Sequence, residues 1–405
     1  MMNSYTPQAV VAALFMTTVM PASALVIVPR DVGGLTGSAA ASSFGTAARF
    51  WESIITNDVT VQLDVGFLPN GASVGTTSTV SVQDVQSVEA RLRAGGRSAL
   101  DAVVATKGLP ALDANGALTV TTPGYVDPVN RLGVDTNSTV LDGDGSANNL
   151  LMGLTTANAK ALGYTFDPQT ADAQILFESQ FPYDFDPRNG IGANQLDFVD
   201  LAIHEIGHAL GFISGVDDYD SIGCPFSPAC AQFADYPVND TWWGYTLDLF
   251  RYSVVGLDWS VAPASFTPPY FSVDTGQTQF NGLSGFSTGR NAGDGSQASH
   301  WAKDFFSSCS THIGIMDPSI CLGQGGKVTA TDLAAFDAIG WNLNIDVVAR
   351  PDFAESTAQI ATALTVSEPD TLALLLSGLA VFCGALRNHC HRTRWQTWSW
   401  STSRG

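Results

Sequence analysis

His204-Glu205-Ile206-Gly207-His208-Ala209-Leu210-Gly211-Phe212 is the run from which the rest of the chain is read. Around it, Val199, Ala202, Ile203, Ile206, Ala209 and Leu210 recur at helical spacing. Asp197 stands ahead of them as an acidic N-cap, and Gly211 lets the helix end and the chain turn. On such a helix His204 and His208 lie one turn apart on one face, where two imidazoles can grip one zinc ion. Glu205 sits next to the first ligand, where its carboxylate can take the proton of a water held by the metal. A bare H-E-x-x-H arises by chance in many sequences. The flanks separate this one from chance, because two histidines and a glutamate on a largely apolar helix need partners, and zinc supplies one.

Catalytic zinc takes three protein ligands and keeps a fourth position for water. In the pattern H-E-x-x-H-x-x-G-x-x-H the last ligand would fall on Ser214, a poor zinc ligand. The chain has 6 histidines, and His389 and His391 sit in a basic tail. The candidates for the third ligand are therefore His300, His312 and the carboxylate of Asp217.

Two later motifs bear on that choice: Ser299-His300-Trp301 and Gly314-Ile315-Met316-Asp317-Pro318. With the zinc-binding helix, they make residues 197–318 resemble the leishmanolysin-type metzincins. There an insertion separates the helix from a histidine in a Ser-His-Trp context, and a methionine turn follows. The resemblance implies His300 as third ligand and Met316 beneath the zinc. It also implies an α+β zincin fold, with a mixed twisted sheet and the active-site helix in an N-terminal lobe to about residue 212. An irregular C-terminal lobe follows, its methionine turn and closing helix spanning 300–341. The activity implied is zinc endopeptidase, acting on proteins or peptides. The insertion, 213–299, is longer than the family norm. In metzincins the strand ahead of the active-site helix edges the cleft, and residues 175–178 are read as that edge, against the alternative of an interior strand.

The first 24 residues read as a secretory signal: an apolar run over 9–20, then Ala22-Ser23-Ala24, an A-x-A cleavage pattern. Acidic residues outnumber basic ones, 38 to 18, which argues against a nucleic-acid partner. Residues 42–56 read as a helix and 59–65 as a half-buried strand. A helix is expected over 81–106, turns over 108–147, a helix over 155–162 and a strand over 173–177. A pro-segment covering the cleft is one use for residues 25–56; without a cysteine there, a thiol switch of the matrixin type is excluded. Asp142-Gly143-Asp144-Gly145-Ser146 hints at a calcium loop but lacks the twelve-residue ligand pattern, so it reads first as a plain turn.

In an exported chain Cys224, Cys230, Cys309 and Cys321 are expected in disulfides, with proximity favouring Cys224–Cys230 and Cys309–Cys321. Thr331 to Trp341 reads as the closing amphipathic helix, and 344–366 as a linker or a short strand and turn. Ser367-Glu368-Pro369, an apolar run over 372–386 and Arg387, Arg392 and Arg394 then resemble a PEP-CTERM sorting signal. That resemblance implies export to the cell surface or beyond, membrane engagement through 371–386 and an exosortase-type sorting enzyme as partner. Besides the exported zinc peptidase, two other functions fit: a surface or matrix protein that binds through a retained zinc site, and a zinc hydrolase acting on a non-peptide bond. An intact Glu205 speaks against pure binding.

Overall fold

The computed structural model describes residues 24–68, 74–261, 268–302 and 313–365. Its main sheet has four strands, β1 (Val26–Gly33), β2 (Thr60–Leu68), β3 (Gly75–Ser78) and β4 (Ala173–Glu178), in the order β1-β2-β4-β3. The first two junctions are parallel, and β3 runs antiparallel to β4. In β2, Val61, Leu63 and Val65 are buried while the residues between them are not, the period of a strand with one face in the core.

Helix α1 (Ala39–Ile54) connects β1 to β2 and buries Phe44, Ala47, Trp51 and Ile54 at helical spacing. It packs against α2 (Phe198–Ala209), the helix that carries His204, Glu205 and His208. Trp51 Nε1 donates to the carbonyl of Ile203 at 3.1 Å, tying the two helices together. Phe177 of β4 meets Phe198 with ring centroids 4.7 Å apart, so the start of α2 sits on the sheet.

All twelve residues of α2 are buried. Asp197 caps it, its Oδ1 accepting from the amides of Val199 (2.9 Å) and Asp200 (3.2 Å), a contact worth about 1 kcal/mol. The chain then runs through α3 (Val216–Ile222) and, among the described residues, short helices and strands before α4 (Ala330–Ala338). Trp341, just past α4, donates from Nε1 to the carbonyl of Leu210 at 2.8 Å and pins the exit of α2.

Several expectations give way. Residues 175–178 do not form the cleft edge: β4 lies between β2 and β3, and the edge is β3. The helix expected over 81–106 is a strand, Val80–Asp84, followed by helices Val85–Gly95 and Ala99–Val103. There Val80 and Val82 alternate with polar residues, and Asp84 caps the helix by accepting from the amide of Ser87 at 2.7 Å. The turn-rich 108–147 contains a hairpin of Val120–Gly124 and Asp135–Asp142. Residues 25–56 are built into β1 and α1, the core of the lobe, and so are no detachable cover for the cleft. Over 344–366 the short-strand alternative fits better than a linker: Ala354–Ser356 is a strand paired with Lys327–Thr329, and an unexpected helix, Thr357–Thr365, follows and contacts α1. Thr357 Oγ1 also donates to Asp197 Oδ2 at 2.5 Å, joining this segment to the cap of α2. Residues 1–23 and the tail from 366 onward lie outside the described residues; among those described, no helix is long and apolar enough to cross a membrane.

Candidate metal centre

His204 and His208 come from successive turns of α2, and His300 arrives from the far end of the insertion. Their Nε2 atoms converge, at 3.0 Å for His204–His208, 3.2 Å for His208–His300 and 3.3 Å for His204–His300. Each Nδ1 faces a carbonyl: Ile315 at 2.8 Å from His204, Phe212 at 2.7 Å from His208 and Gln297 at 3.2 Å from His300. A neutral imidazole has one N–H. With that proton on Nδ1, each Nε2 is a bare lone pair, and the three cannot hydrogen-bond to one another. Burial pushes His208 down to about 3 and His300 well below its usual value, and the neighbouring imidazoles add to both. Neutral imidazole is the form that binds metal.

Three lone pairs pointed at one spot repel unless a cation sits between them. Zinc held by three nitrogens at about 2.0–2.1 Å in a tetrahedron puts those nitrogens about 3.3–3.4 Å apart. The observed spacings are close to that, so the donor set fits the ion. Among the described residues this is the one cluster of three or more histidines, cysteines or carboxylates whose donor atoms converge enough to hold a metal.

The triad opens onto a cleft of about 550 Å³, lined also by Glu205, by Val74, Gly75 and Thr76 at the sheet edge, and by Ile213 and Arg290. The hydroxyl of Thr76, on β3, donates to Glu205 Oε2 at 2.7 Å. Thr76 thus fixes the carboxylate next to the triad and leaves Oε1 for a water or substrate. Nothing in the sequence marked this threonine, because β3 is short, polar and glycine-bounded.

The structure places Asp217 beside the triad, but not in it. Its Oδ1 accepts from the amide of Ala298 (2.6 Å), and its Oδ2 accepts from the amide (3.0 Å) and hydroxyl (2.5 Å) of Ser299. Asp217, half-buried in α3, holds the backbone that presents His300, in place of the ligand role open to it in the sequence. Burial pushes its carboxyl up to about 6, against the pull of those donors. Ser214, at the usual third-ligand position, has a related task. Its amide donates to Ser299 Oγ at 2.9 Å and its hydroxyl to Asp248 Oδ1 at 2.6 Å. Asp248 Oδ2 further accepts from the amides of Gly215 and Tyr245, both at 2.8 Å. Ser214 and Ser299 are 85 positions apart yet hydrogen-bonded. The insertion therefore begins and ends at one point, and its length costs the site little.

The methionine turn closes the floor. Met316 is fully buried, and a Cβ on Gly207 would lie 2.6 Å from its sulfur. Glycine between the two helix ligands is what lets Met316 approach the α2 backbone. Asp332, in the first turn of α4, organises this floor. Its Oδ2 accepts from the amides of Ile315 (2.9 Å) and Thr329 (2.8 Å), and its Oδ1 from Trp301 Nε1 (2.8 Å) and the amide of Met316 (3.2 Å). Asp332 thereby joins the Ile315-Met316 turn to Trp301, the residue after His300.

His312 and Cys309 lie outside the described residues, and with Cys309 so does the expected Cys309–Cys321 pair. Cys224 and Cys230 are joined in a disulfide. The Asp142–Ser146 run is a turn whose carboxylates already have protein partners. Asn148 Nδ2 donates to Asp142 at 2.8 Å, Asn239 Nδ2 donates to Asp144 at 3.0 Å, and Arg131 pairs with Asp144.

Comparison of the chain with protein-family models, with curated proteins and with solved structures finds no match. The functional reading rests on the geometry above and on the motifs.

Proposed function

We propose that the chain is an exported zinc endopeptidase of metzincin type, with zinc held by His204, His208 and His300. One observation carries the reading: three Nε2 lone pairs converge beside Glu205 in a single open cleft. When bound, zinc supplies a Lewis acid that polarises a peptide carbonyl and acidifies water. Glu205 accepts the proton of the attacking water on Oε1 and returns it to the departing amine nitrogen, while Thr76 holds Oε2. The carbonyls of Ile315, Phe212 and Gln297 fix each ligand's tautomer and ring plane. An extended peptide is positioned by adding a strand to the outer edge of β3, which lines the cleft. Among the described residues no strand pairs with that edge.

Export is part of the same proposal. It draws on the leader pattern in 1–24 and the sorting-signal resemblance of the tail, and the Cys224–Cys230 disulfide suits an oxidising compartment. The test of the chemistry is casein hydrolysis by the zinc-loaded protein beside Glu205→Gln. The variant should keep its zinc and lose activity by about 10²–10⁴-fold, the usual contribution of a positioned general base. Equal activity in the two proteins would remove Glu205 from the reaction, and a zinc-loaded wild type that cleaves nothing would favour the binding-only alternative.

A further inference from the structure

The segment that delivers His300 is held at two points by α3. Asp217 grips its end, as described. Three residues on, Asp220 grips its beginning: Oδ2 accepts from the amide of Asn291 and Oδ1 from the amide of Ala292, both at 2.8 Å. Asn291 Nδ2 also donates to the carbonyl of Asp220 at 3.1 Å. Asp220 is itself buried. Gly289 has φ +142°, and a Cβ there would come within 2.8 Å of the Asp220 carboxyl carbon. The turn is closed again by the amide of Gly289 donating to Ser296 (3.1 Å) and that of Asp294 donating to Thr288 Oγ1 (3.0 Å). At the tip of this braced turn stands Arg290.

Arg290 lines the same cleft as the triad and Glu205. It is the one cation lining it among the described residues, where it makes no ion pair. In a chain with 38 acidic and 18 basic residues, a cation at the mouth of the cleft stands against the prevailing charge. Its guanidinium offers a planar fork of donors that matches a carboxylate. The rest of the acidic surface repels such a group, and among the side chains lining the cleft Arg290 is the one whose charge attracts it.

We propose that Arg290 selects the substrate by taking a carboxylate of the bound peptide, from an acidic side chain near the scissile bond or from the peptide's own C-terminus. This rests on the peptidase reading. The buried Asp220 and the glycine at 289 hold the selecting residue in place, as Asp217 holds the metal ligand.

The test uses zinc-loaded full-length protein and internally quenched peptides in matched pairs: Glu against Gln at each position flanking the cleaved bond, and free acid against amide at the C-terminus. Wild type should favour the carboxylate member of one pair by roughly fivefold in kcat/KM, the scale of a partly exposed ion pair. Preference in the Glu/Gln pairs assigns the carboxylate to a side chain, and preference in the acid/amide pair assigns it to the terminus. Arg290→Gln should erase the preference, and Arg290→Lys should keep part of it. Equal kcat/KM within every pair for wild type, or a preference that survives Arg290→Gln, overturns the proposal and leaves the peptidase standing. If wild type cleaves no peptide and no casein, the peptidase reading itself has failed and this inference goes with it.

Discussion

Replacing Asp217 by alanine separates the two roles open to it. The side chain accepts from two backbone amides and one hydroxyl, all in the two residues before His300. Alanine leaves the amides of Ala298 and Ser299 without an acceptor. At about 1–3 kcal/mol for each stranded buried donor, the change costs about 2–6 kcal/mol in total. The Ser299 hydroxyl is not lost to the site, because Ser214 still donates to it. Of the three ligands, His300 has the longest bond from Nδ1, 3.2 Å to Gln297, so its orientation depends most on the loop behind it. Zinc affinity should therefore fall about tenfold to a hundredfold, as it does when a residue that orients a metal ligand is removed. The remainder should appear as lower stability of the metal-free protein. Chelator competition gives the zinc Kd, and urea unfolding of the metal-free chain gives the stability. A Kd within about threefold of wild type would refute the argument that Asp217 presents His300. Complete loss of zinc in Asp217→Ala, with zinc retained in His300→Ala, would make Asp217 the ligand instead.

Gly207→Ala improves helix propensity, yet its Cβ would lie 2.6 Å from the Met316 sulfur. Overpacking of this kind costs about 1–3 kcal/mol, so urea unfolding should show a less stable variant, and a more stable one would contradict the packing described. Asp337, in α4, is buried with neither carboxylate oxygen hydrogen-bonded among the described residues; burial, then the charge of Asp101, pushes it up to about 8. Its unfolded value is about 3.9. Between those values the folded chain binds more protons than the unfolded one, so this group makes stability fall as pH rises, by up to about 1.4 kcal/mol per pH unit. Asp337→Asn should flatten the decline in unfolding free energy of the metal-free protein between pH 5 and 8 (about, from those two pKa values). An unchanged slope would place the titration elsewhere.

What was legible in the sequence was local. His204, Glu205 and His208 share one helix, and their spacing alone puts them on one face. His300 and Met316 came only from resemblance, because no periodicity links positions separated by an insertion. The residues that bring them in are Asp217, Asp248 and Asp332, carboxylates whose partners are backbone amides distant in sequence. An aspartate of that kind looks like any surface acid until the fold is known. The cleft edge was missed for a related reason. Strand β3, Gly75-Thr76-Thr77-Ser78, has no apolar alternation because none of its residues is fully buried, whereas β4 has the apolar signature of the interior strand it is. The strand Val80–Asp84 does alternate, but its proximity to a strong helix hid it.

The central claim is that three histidines hold one zinc ion in a peptide-cleaving cleft. Elemental analysis of the purified protein beside His300→Ala, each assayed for casein hydrolysis, tests it most directly. The account predicts about one zinc per chain with activity in wild type, since catalytic zinc takes three protein ligands, and loss of both in the variant. Zinc and activity undiminished in His300→Ala would contradict it.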